Sequence, residues 1–170
     1  DLRICNMELT TPKIQLFVTD VDGTLTDGSM YYTAEGDYMK RFNTRDGMGL
    51  EMLRNKGIEV AIMTGEDSQI VLRRAEKLKI SRVFMGIKDK LTQMKSLCEE
   101  MGIPMSSVAY VGDDVNDMEV MKHVGLSFAV ADSSPGIVEV ADVTLTKVGG
   151  KGAVREAAEW IIARQLSGSA

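Results

Sequence analysis

The chain has 170 residues, of which 44% are hydrophobic and 26% are charged, a composition that predicts one compact domain and excludes a largely disordered chain. Its 25 acidic and 20 basic residues give a net charge of −5, and no run of Lys and Arg is long enough to bind along a phosphate backbone. Nucleic acid is therefore not an expected partner. No apolar stretch approaches the roughly 20 residues that cross a bilayer, so we expect a cytoplasmic protein with no membrane partner.

The two ends of the chain match no periodic pattern. We interpret residues 1–12 as a terminal extension or as a linker from a longer protein, and we expect a single domain over residues 13–166. The two cysteines, Cys5 and Cys98, form no Cys-x-x-Cys pair, so neither a disulfide nor a zinc site is expected.

Between the ends, short apolar runs alternate with helical patterns. The runs lack the strict alternation of a half-exposed strand, which predicts a buried parallel sheet. The predicted strands are residues 14–20, 58–64, 82–86, 108–113, 126–130 and 142–146. The predicted helices are residues 50–56 after a cap at Thr44 or Asp46, 70–79 after a cap at Asp67 or Ser68, 88–101, 115–123 and 153–166. This order predicts a three-layer, doubly wound α/β sandwich with ligands at the carboxyl ends of its strands.

Residues 29–42 break this alternation, because β-forming residues flank the sequence Ala-Glu-Gly-Asp. Gly36 can supply the turn, so the segment predicts a β-hairpin inserted after the first strand. The insertion is too small to be a cap domain. Either the site is open, or another subunit covers it.

Two acidic clusters follow predicted strands. Asp20 and Asp22 end the first strand, and their spacing points both carboxylates the same way, although a turn leaving a strand explains the pair equally well. The second cluster, GDDVND at 112–117, reaches the same edge of the sheet. Carboxylates this close would repel one another without a divalent cation, and magnesium prefers oxygen ligands. The pair of clusters therefore predicts a magnesium cofactor.

Two further strand ends carry complementary groups. Thr64 and Gly65 supply a hydroxyl and a backbone that can approach an anion, and Lys88 and Lys90 follow the third strand. Taken singly, a helix cap or a solvated charge explains each of them. Together with the acidic clusters they are the groups that bind and stabilise a transferring phosphoryl group.

The segments DVDGTLTDG, IMTGED, GIKDK and GDDVND, in this order between residues 20 and 117, resemble the motifs of the haloacid dehalogenase superfamily. The resemblance implies that Asp20 is the nucleophile of a phosphatase and that Asp22 is its general acid and base. Thr64 would bind the phosphoryl oxygens. Lys90, which fits the family better than Lys88, would offset negative charge.

The same resemblance implies the metal ligands. Asp20, the main-chain carbonyl of Asp22, and Asp113 would bind magnesium, and Asp114 or Asp117 would support the metal without binding it. The candidate contacts to the substrate are Thr24, Thr44, Gly65, Glu66, Arg74, Lys77 and Asn116.

A closer resemblance covers nearly the whole chain. The small hairpin, RFNTRDGMGL (41–50), VGLSFAVADSSP (124–135) and GGKGAVRE (149–156) are similar to the capless branch that hydrolyses phosphates of 2-keto-3-deoxy sugar acids. This branch contains 3-deoxy-D-manno-octulosonate 8-phosphate phosphatases, nine-carbon 9-phosphate phosphatases and the carboxyl-terminal domains of some acylneuraminate cytidylyltransferases. The resemblance implies a phosphorylated sugar acid as the substrate and a homotetramer in which neighbouring chains cover each site.

Glu66 favours one substrate within this branch. The octulosonate enzymes typically have arginine after the Thr-Gly pair, so Glu66 favours a nine-carbon (KDN or N-acylneuraminate) 9-phosphate. Glu66 would bind sugar hydroxyls and pair with Lys77, and Arg74 would meet the substrate carboxylate. Alternatively, these charged residues form a solvated helical face. The octulosonate 8-phosphate phosphatase and an inactive oligomerisation domain remain alternatives, although the complete motif set argues against an inactive domain.

Overall fold

The computed structural model describes residues 12–167. All but the last residue of the predicted extension over residues 1–12 lies outside this range, as does Cys5. The strands are β1 (Leu16–Thr19), β2 (Tyr31–Thr33), β3 (Gly36–Met39), β4 (Glu59–Met63), β5 (Arg82–Phe84), β6 (Val108–Gly112), β7 (Leu126–Ala129) and β8 (Val143–Thr144). The helices are α1 (Thr44–Asn55), α2 (Gln69–Lys77), α3 (Lys90–Met101), α4 (Met118–Met121), α5 (Pro135–Val140) and α6 (Ala153–Ser167).

Six of the strands form one parallel sheet in the order β5-β4-β1-β6-β7-β8. The order reverses at β1, because the chain proceeds from β1 to β4 and β5 on one side and later to β6, β7 and β8 on the other. Crevices at the carboxyl ends of strands on either side of such a reversal are where ligands bind in doubly wound sheets. The topology therefore places the end of β1, and with it Asp20, at the expected ligand site.

Helices cover both faces of the sheet, as the three-layer prediction requires. Phe17 faces a core that includes Leu50 and Leu53 of α1 and Ile161 of α6. The alternate β1 residues, represented by Val18, face a second core with side chains from α3, α4 and α5. This alternation, with apolar residues on both faces of one strand, explains why β1 reads as a continuous apolar run. The predicted fold class is confirmed.

The hairpin is also confirmed. Strands β2 and β3 pair antiparallel in a separate two-stranded sheet. They are the only helices or strands assigned within residues 20–43, between β1 and α1. Tyr32 and Tyr38 remain 61% and 70% exposed on it. Among residues 12–167, no helix has the length and apolar character that crossing a membrane requires.

Some details of the predicted helices differ from the structure. The cap of α1 is Asn43, one residue before the nearer predicted cap Thr44, and its side chain accepts a hydrogen bond from the Arg45 N–H at 2.8 Å. Ser68 lies at the cap position of α2, but its side chain makes no capping hydrogen bond. The predicted helix over 115–123 is a 3-10 turn followed by the short α4. Helix α5 was not predicted, because six residues are too few for a periodic pattern.

Asp46, predicted as a possible cap of its own helix, caps a different one. It is 1% exposed, and its carboxylate accepts hydrogen bonds from the N–H groups of Gly152 (3.3 Å) and Arg155 (3.0 Å) at the start of α6. Burial raises the pKa of Asp46, while the backbone N–H groups act in the opposite direction. Helices α1 and α6 pack closely because residue 49 is a glycine: a Cβ added there would lie 2.9 Å from the Arg155 Cα. Asp46 thus ties α1 to α6.

Replacing Asp46 with alanine should lower the free energy of unfolding by about 1–2 kcal/mol, because α6 loses the acceptor for its first N–H groups. Urea denaturation measures the change. Glu51→Ala, on the exposed face of the same helix, is the matched control and should change the free energy by less than about 0.5 kcal/mol. Equal effects of the two substitutions would show that Asp46 is not a cap.

Candidate active site

Lys90 lies at the centre of the predicted site. As the first residue of α3 it points back to the sheet, where its Nζ lies 2.7 Å from Asp20 Oδ1 and 2.6 Å from Asp117 Oδ1. The Tyr110 hydroxyl donates to the same Asp117 oxygen at 2.6 Å and lies 3.2 Å from Lys90 Nζ. All four residues are at most 4% exposed. The sequence-based preference for Lys90 over the exposed Lys88 agrees with this placement.

The charges of this cluster do not balance within the protein. Burial lowers the pKa of Lys90, but the stronger combined effect of Asp20 and Asp117 raises it, so its ammonium stays charged. Burial, followed by the negative charge of Asp117, raises the pKa of Asp20 well above its usual range, although Lys90 opposes this. The same two causes raise the pKa of Asp113 to about 7. One ammonium therefore faces three carboxylates, and a divalent cation would balance the remaining negative charge.

The geometry identifies which carboxylates are available to that cation. Oxygens of Asp20, Asp113 and Asp117 lie within 4.8 Å of one another. Both oxygens of Asp117 are already occupied, since Oδ2 accepts from the Asp113 N–H at 3.0 Å and Oδ1 accepts from Lys90 and Tyr110. Asp20 and Asp113 are therefore the side chains that could hold the cation, and Asp117 orients the loop that carries Asp113. The role of the Asp22 carbonyl stays a prediction.

Asp114 was the alternative to Asp117 as a supporting residue. It is exposed, and its side chain caps the short 3-10 helix Val115–Asp117 by accepting from the Val115 N–H at 2.8 Å. Its effect on the site is thus to fix the turn that positions Asp117.

Asp22 has a partner that sequence reasoning missed. Lys40, just after β3 of the hairpin, lies with Nζ 2.7 Å from Asp22 Oδ1, and its side chain is only 2% exposed. The second Asp22 oxygen, Oδ2, is buried without a hydrogen-bond partner among the described residues. A single lysine inside KRF has no motif around it, and only the path of the hairpin brings it to the first strand.

The predicted phosphate-binding groups meet at one loop. Thr64 continues β4, with its N–H donating to the Phe84 carbonyl at 2.9 Å, and its hydroxyl accepts from the Glu66 N–H at 3.2 Å. Gly65 is exposed, and a Cβ added there would lie 3.9 Å from the Asn116 Nδ2. Gly65 and Asn116 therefore border the same space, and their substrate roles stay predictions.

The structure changes two of these predictions, one for Thr24 and one for the pairing of Glu66 with Lys77. Thr24 is fully buried and its hydroxyl donates to Asp113 Oδ1 at 3.4 Å, so it supports the metal site rather than the substrate. No ion pair joins Glu66 to Lys77 in the described part of the chain, since α2 separates them by about 12 Å along its axis. Burial lowers the pKa of Lys40, but Asp22, and more weakly Asp37 and Glu66, raise it, so Glu66 lies close to Lys40.

Arg74 of α2 reaches the start of α1, where Thr44 is the first residue of the helix. Arg74 is half-buried, donates to the Asn43 carbonyl at 3.2 Å and stacks over the Phe42 ring at 5.4 Å, and Thr44 is the exposed first residue of the helix. Arg74 therefore braces α1 against α2. A contact of either residue with a substrate remains a prediction.

Gly23 makes the turn after β1 possible. Its φ is +89°, and an added Cβ would lie 2.0 Å from Asp113 Oδ2. Gly23→Ala should therefore push Asp113 out of place and reduce both magnesium affinity and activity by about 10- to 100-fold. Isothermal titration with magnesium and a phosphate-release assay measure this. Gly28→Ala is the matched control, because it has a similar φ of +80° but only ordinary contacts, the closest at 3.5 Å. Similar losses in both variants would attribute the effect to backbone strain instead.

Comparison with known proteins gives the same result. The family model of the haloacid dehalogenase-like hydrolases matches residues 86–157. The 3-deoxy-D-manno-octulosonate 8-phosphate phosphatase of Haemophilus influenzae is 40% identical over 159 residues, covering 94% of this chain and 88% of the relative. The enzyme of the same name from Escherichia coli K12 is 42% identical over 152 residues, covering 89% of this chain and 81% of the relative.

Among solved structures, the Moraxella catarrhalis 3-deoxy-D-manno-octulosonate 8-phosphate phosphatase superimposes with a TM-score of 0.87 at 42% identity, over 91% of this chain and 88% of that one. That crystal structure contains a magnesium ion, a phosphate ion and a KDO molecule. The predicted magnesium cofactor is confirmed by this relative together with the acidic cluster of the present chain. The chain therefore belongs to the haloacid dehalogenase-like hydrolases and is one of their capless phosphatases, with residues of the family's motifs grouped around Lys90.

Proposed function

We propose that this phosphatase releases phosphate from a 2-keto-3-deoxy sugar acid through an aspartyl phosphate on Asp20. The observation that carries the proposal is the buried ammonium of Lys90 on Asp20 Oδ1, because it holds a carboxylate, otherwise poorly tolerated at 4% exposure, where it can act as a nucleophile. A site that only bound phosphate would need no carboxylate nucleophile.

The reaction then has two steps. Asp20 attacks phosphorus, the bond from phosphorus to the sugar oxygen breaks, and that oxygen takes a proton from Asp22. In the second step Asp22 accepts a proton from water, whose oxygen attacks the aspartyl phosphate and releases inorganic phosphate together with Asp20. Thr64 and the N–H groups of its loop bind the phosphoryl oxygens. Asp20 and Asp113 would hold magnesium, which would supply positive charge opposite the negative charge of the phosphoryl group.

The first candidate substrate is 3-deoxy-D-manno-octulosonate 8-phosphate. Relatives with this name match at 40–42% identity over most of their length and most of this chain. They support the eight-carbon acid better than the nine-carbon acid that Glu66 favours.

A nine-carbon 9-phosphate is the second candidate, and Glu66 supports it. The residue is exposed at the mouth of the Thr64 loop and lies near Lys40, so its carboxylate can accept hydrogen bonds from sugar hydroxyls.

Phosphate release with magnesium from both sugar acid phosphates tests the proposal. A higher kcat/KM for the octulosonate 8-phosphate supports the first candidate, and the reverse supports the second. In Glu66→Arg the ratio should move toward the eight-carbon acid by about tenfold, with Asp67→Asn at the next exposed position as the control. A wild-type chain that is folded and binds magnesium but hydrolyses neither acid would contradict the proposed function and support an oligomerisation domain.

We also propose that the chain forms a homotetramer in which the hairpin is a contact surface. Two exposed tyrosines on so small a sheet, Tyr32 and Tyr38, are typical of an interface. Tyr32→Asp with Tyr38→Asp should shift the sedimentation coefficient to that of a smaller species. Val138→Asp, a 40% exposed apolar residue on α5, is the control. An unchanged assembly in the tyrosine double variant would remove the hairpin from the interface.

A further inference from the structure

Lys40 is a charged residue outside the predicted catalytic set whose side chain is almost fully buried. Its Nζ contacts Asp22 Oδ1 at 2.7 Å and lies 3.7 Å from Asp37, and its side chain is 2% exposed. An ammonium this deeply buried is held by charged partners rather than by solvent, since desolvating it is costly. The geometry of its principal partner is therefore fixed by the hairpin.

The two oxygens of Asp22 are in different surroundings. Oδ1 is occupied by Lys40, whereas Oδ2 is buried and has no hydrogen-bond partner within residues 12–167. A buried carboxylate oxygen without a partner is unfavourable by about 1–3 kcal/mol, so it is retained where a ligand supplies the missing contact. Asp22 lies in the turn that follows β1, two residues after Asp20, so a molecule that reacts at Asp20 is placed to supply this missing contact.

We propose that Lys40 is a positioning residue that fixes the rotamer of Asp22 through Oδ1, so that Oδ2 is the oxygen that exchanges a proton with the leaving group and with water. The inference rests on the proposed function, in which Asp22 is the acid and base. The hairpin then has two roles. It presents a surface to neighbouring chains, and through Lys40 it positions Asp22, the proton-transferring side chain of its own chain's active site.

Leaving-group dependence separates positioning from a general structural role. p-Nitrophenolate departs without a proton, whereas phenolate depends more on an acid in the transition state. Neither p-nitrophenyl phosphate nor phenyl phosphate carries a carboxylate, so direct binding of a sugar acid by Lys40 does not enter the comparison. The value of kcat/KM reports the first phosphoryl transfer, before the aspartyl phosphate is hydrolysed.

In Lys40→Met, kcat/KM for phenyl phosphate should fall at least about tenfold more than for p-nitrophenyl phosphate. Lys40→Arg, which keeps the charge, should restore part of the difference. Lys88→Met, which removes an exposed positive charge beyond β5, is the matched control and should change both substrates by the same factor. Equal losses on both substrates in Lys40→Met would overturn the inference.

A double-substitution cycle gives a second test that does not depend on how well a single variant folds. In an Asp22→Asn background, Lys40→Met should have little further effect on kcat/KM for phenyl phosphate, because the group that it positions is gone. Independent, multiplying losses would overturn the inference while leaving the proposed function intact. If instead Asp20→Asn kept full activity, the proposed function itself would fail, so the two failures are distinguishable.

Discussion

Asp20→Asn is expected to lower kcat/KM for magnesium-dependent phosphate release by about 10⁴-fold or more, since the amide cannot form an aspartyl phosphate. Phosphate release under single-turnover conditions measures the loss, and mass spectrometry of acid-quenched enzyme should show a phosphorylated wild-type protein and an unmodified variant. Asp67→Asn, on the exposed loop after Thr64, is the matched control and should retain activity within a few-fold. Substantial turnover by Asp20→Asn would contradict covalent catalysis.

This loss of activity should not come from unfolding. Burial and the charge of Asp117 raise the pKa of Asp20, so the free energy of unfolding increases when this side chain becomes neutral. A raised folded-state pKa means that the carboxylate lowers stability above that pKa. Without magnesium, Asp20→Asn should therefore be at least as resistant to urea as the wild-type chain at neutral pH. A less stable variant would show that the Lys90 ion pair outweighs the burial of Asp20.

Lys90→Met should have the second largest effect, on both activity and stability. The substitution leaves Asp20 and Asp117 buried and facing one another without the ammonium that lies 2.7 Å and 2.6 Å from them. Removing one partner of a buried charge network costs about 3–5 kcal/mol. Urea denaturation without metal should show this loss, and phosphate release should fall by at least about 10³-fold because Asp20 loses its positive partner.

A second substitution separates the two effects. Adding Asp117→Asn to Lys90→Met removes one of the two buried negative charges, so it should restore much of the stability but none of the activity. Lys122→Met, which breaks an exposed pair with Glu119, is the control and should change stability by less than about 1 kcal/mol. Recovery of phosphate release in the double variant would show that Lys90 acts only on folding.

The sequence predicted the sheet and the catalytic edge because both follow from local patterns. Strands β1, β4 and β6 consist mostly of apolar residues, and Asp20, Thr64 and Asp113 directly follow them. Parallel strands bring those ends together whatever the details of the connections. The precise ends of the strands were less predictable, because an apolar residue beside a strand packs into the core without joining the ladder.

The contacts that could not be predicted are those between distant polar side chains. Asp46 was expected to cap its own helix, but it faces the start of α6 across more than 100 residues of chain. Lys40 reaches Asp22 only through the fold of the hairpin. The predicted pair of Glu66 with Lys77 was wrong because α2 runs between them. Charged residues in surface segments have many possible partners, and tertiary geometry selects one.

The central position of β1 has a consequence for how the protein is made. Its residues pair with β4 on one side and with β6 on the other, where Thr19 meets Val111. While a ribosome is producing the chain, β1 leaves early but keeps one open edge until residues near 112 have followed. Asp20 thus directly follows β1, the strand of the sheet whose second neighbour is synthesised after the longest delay. In the finished protein, amide hydrogens of β1 should be among the slowest to exchange with solvent.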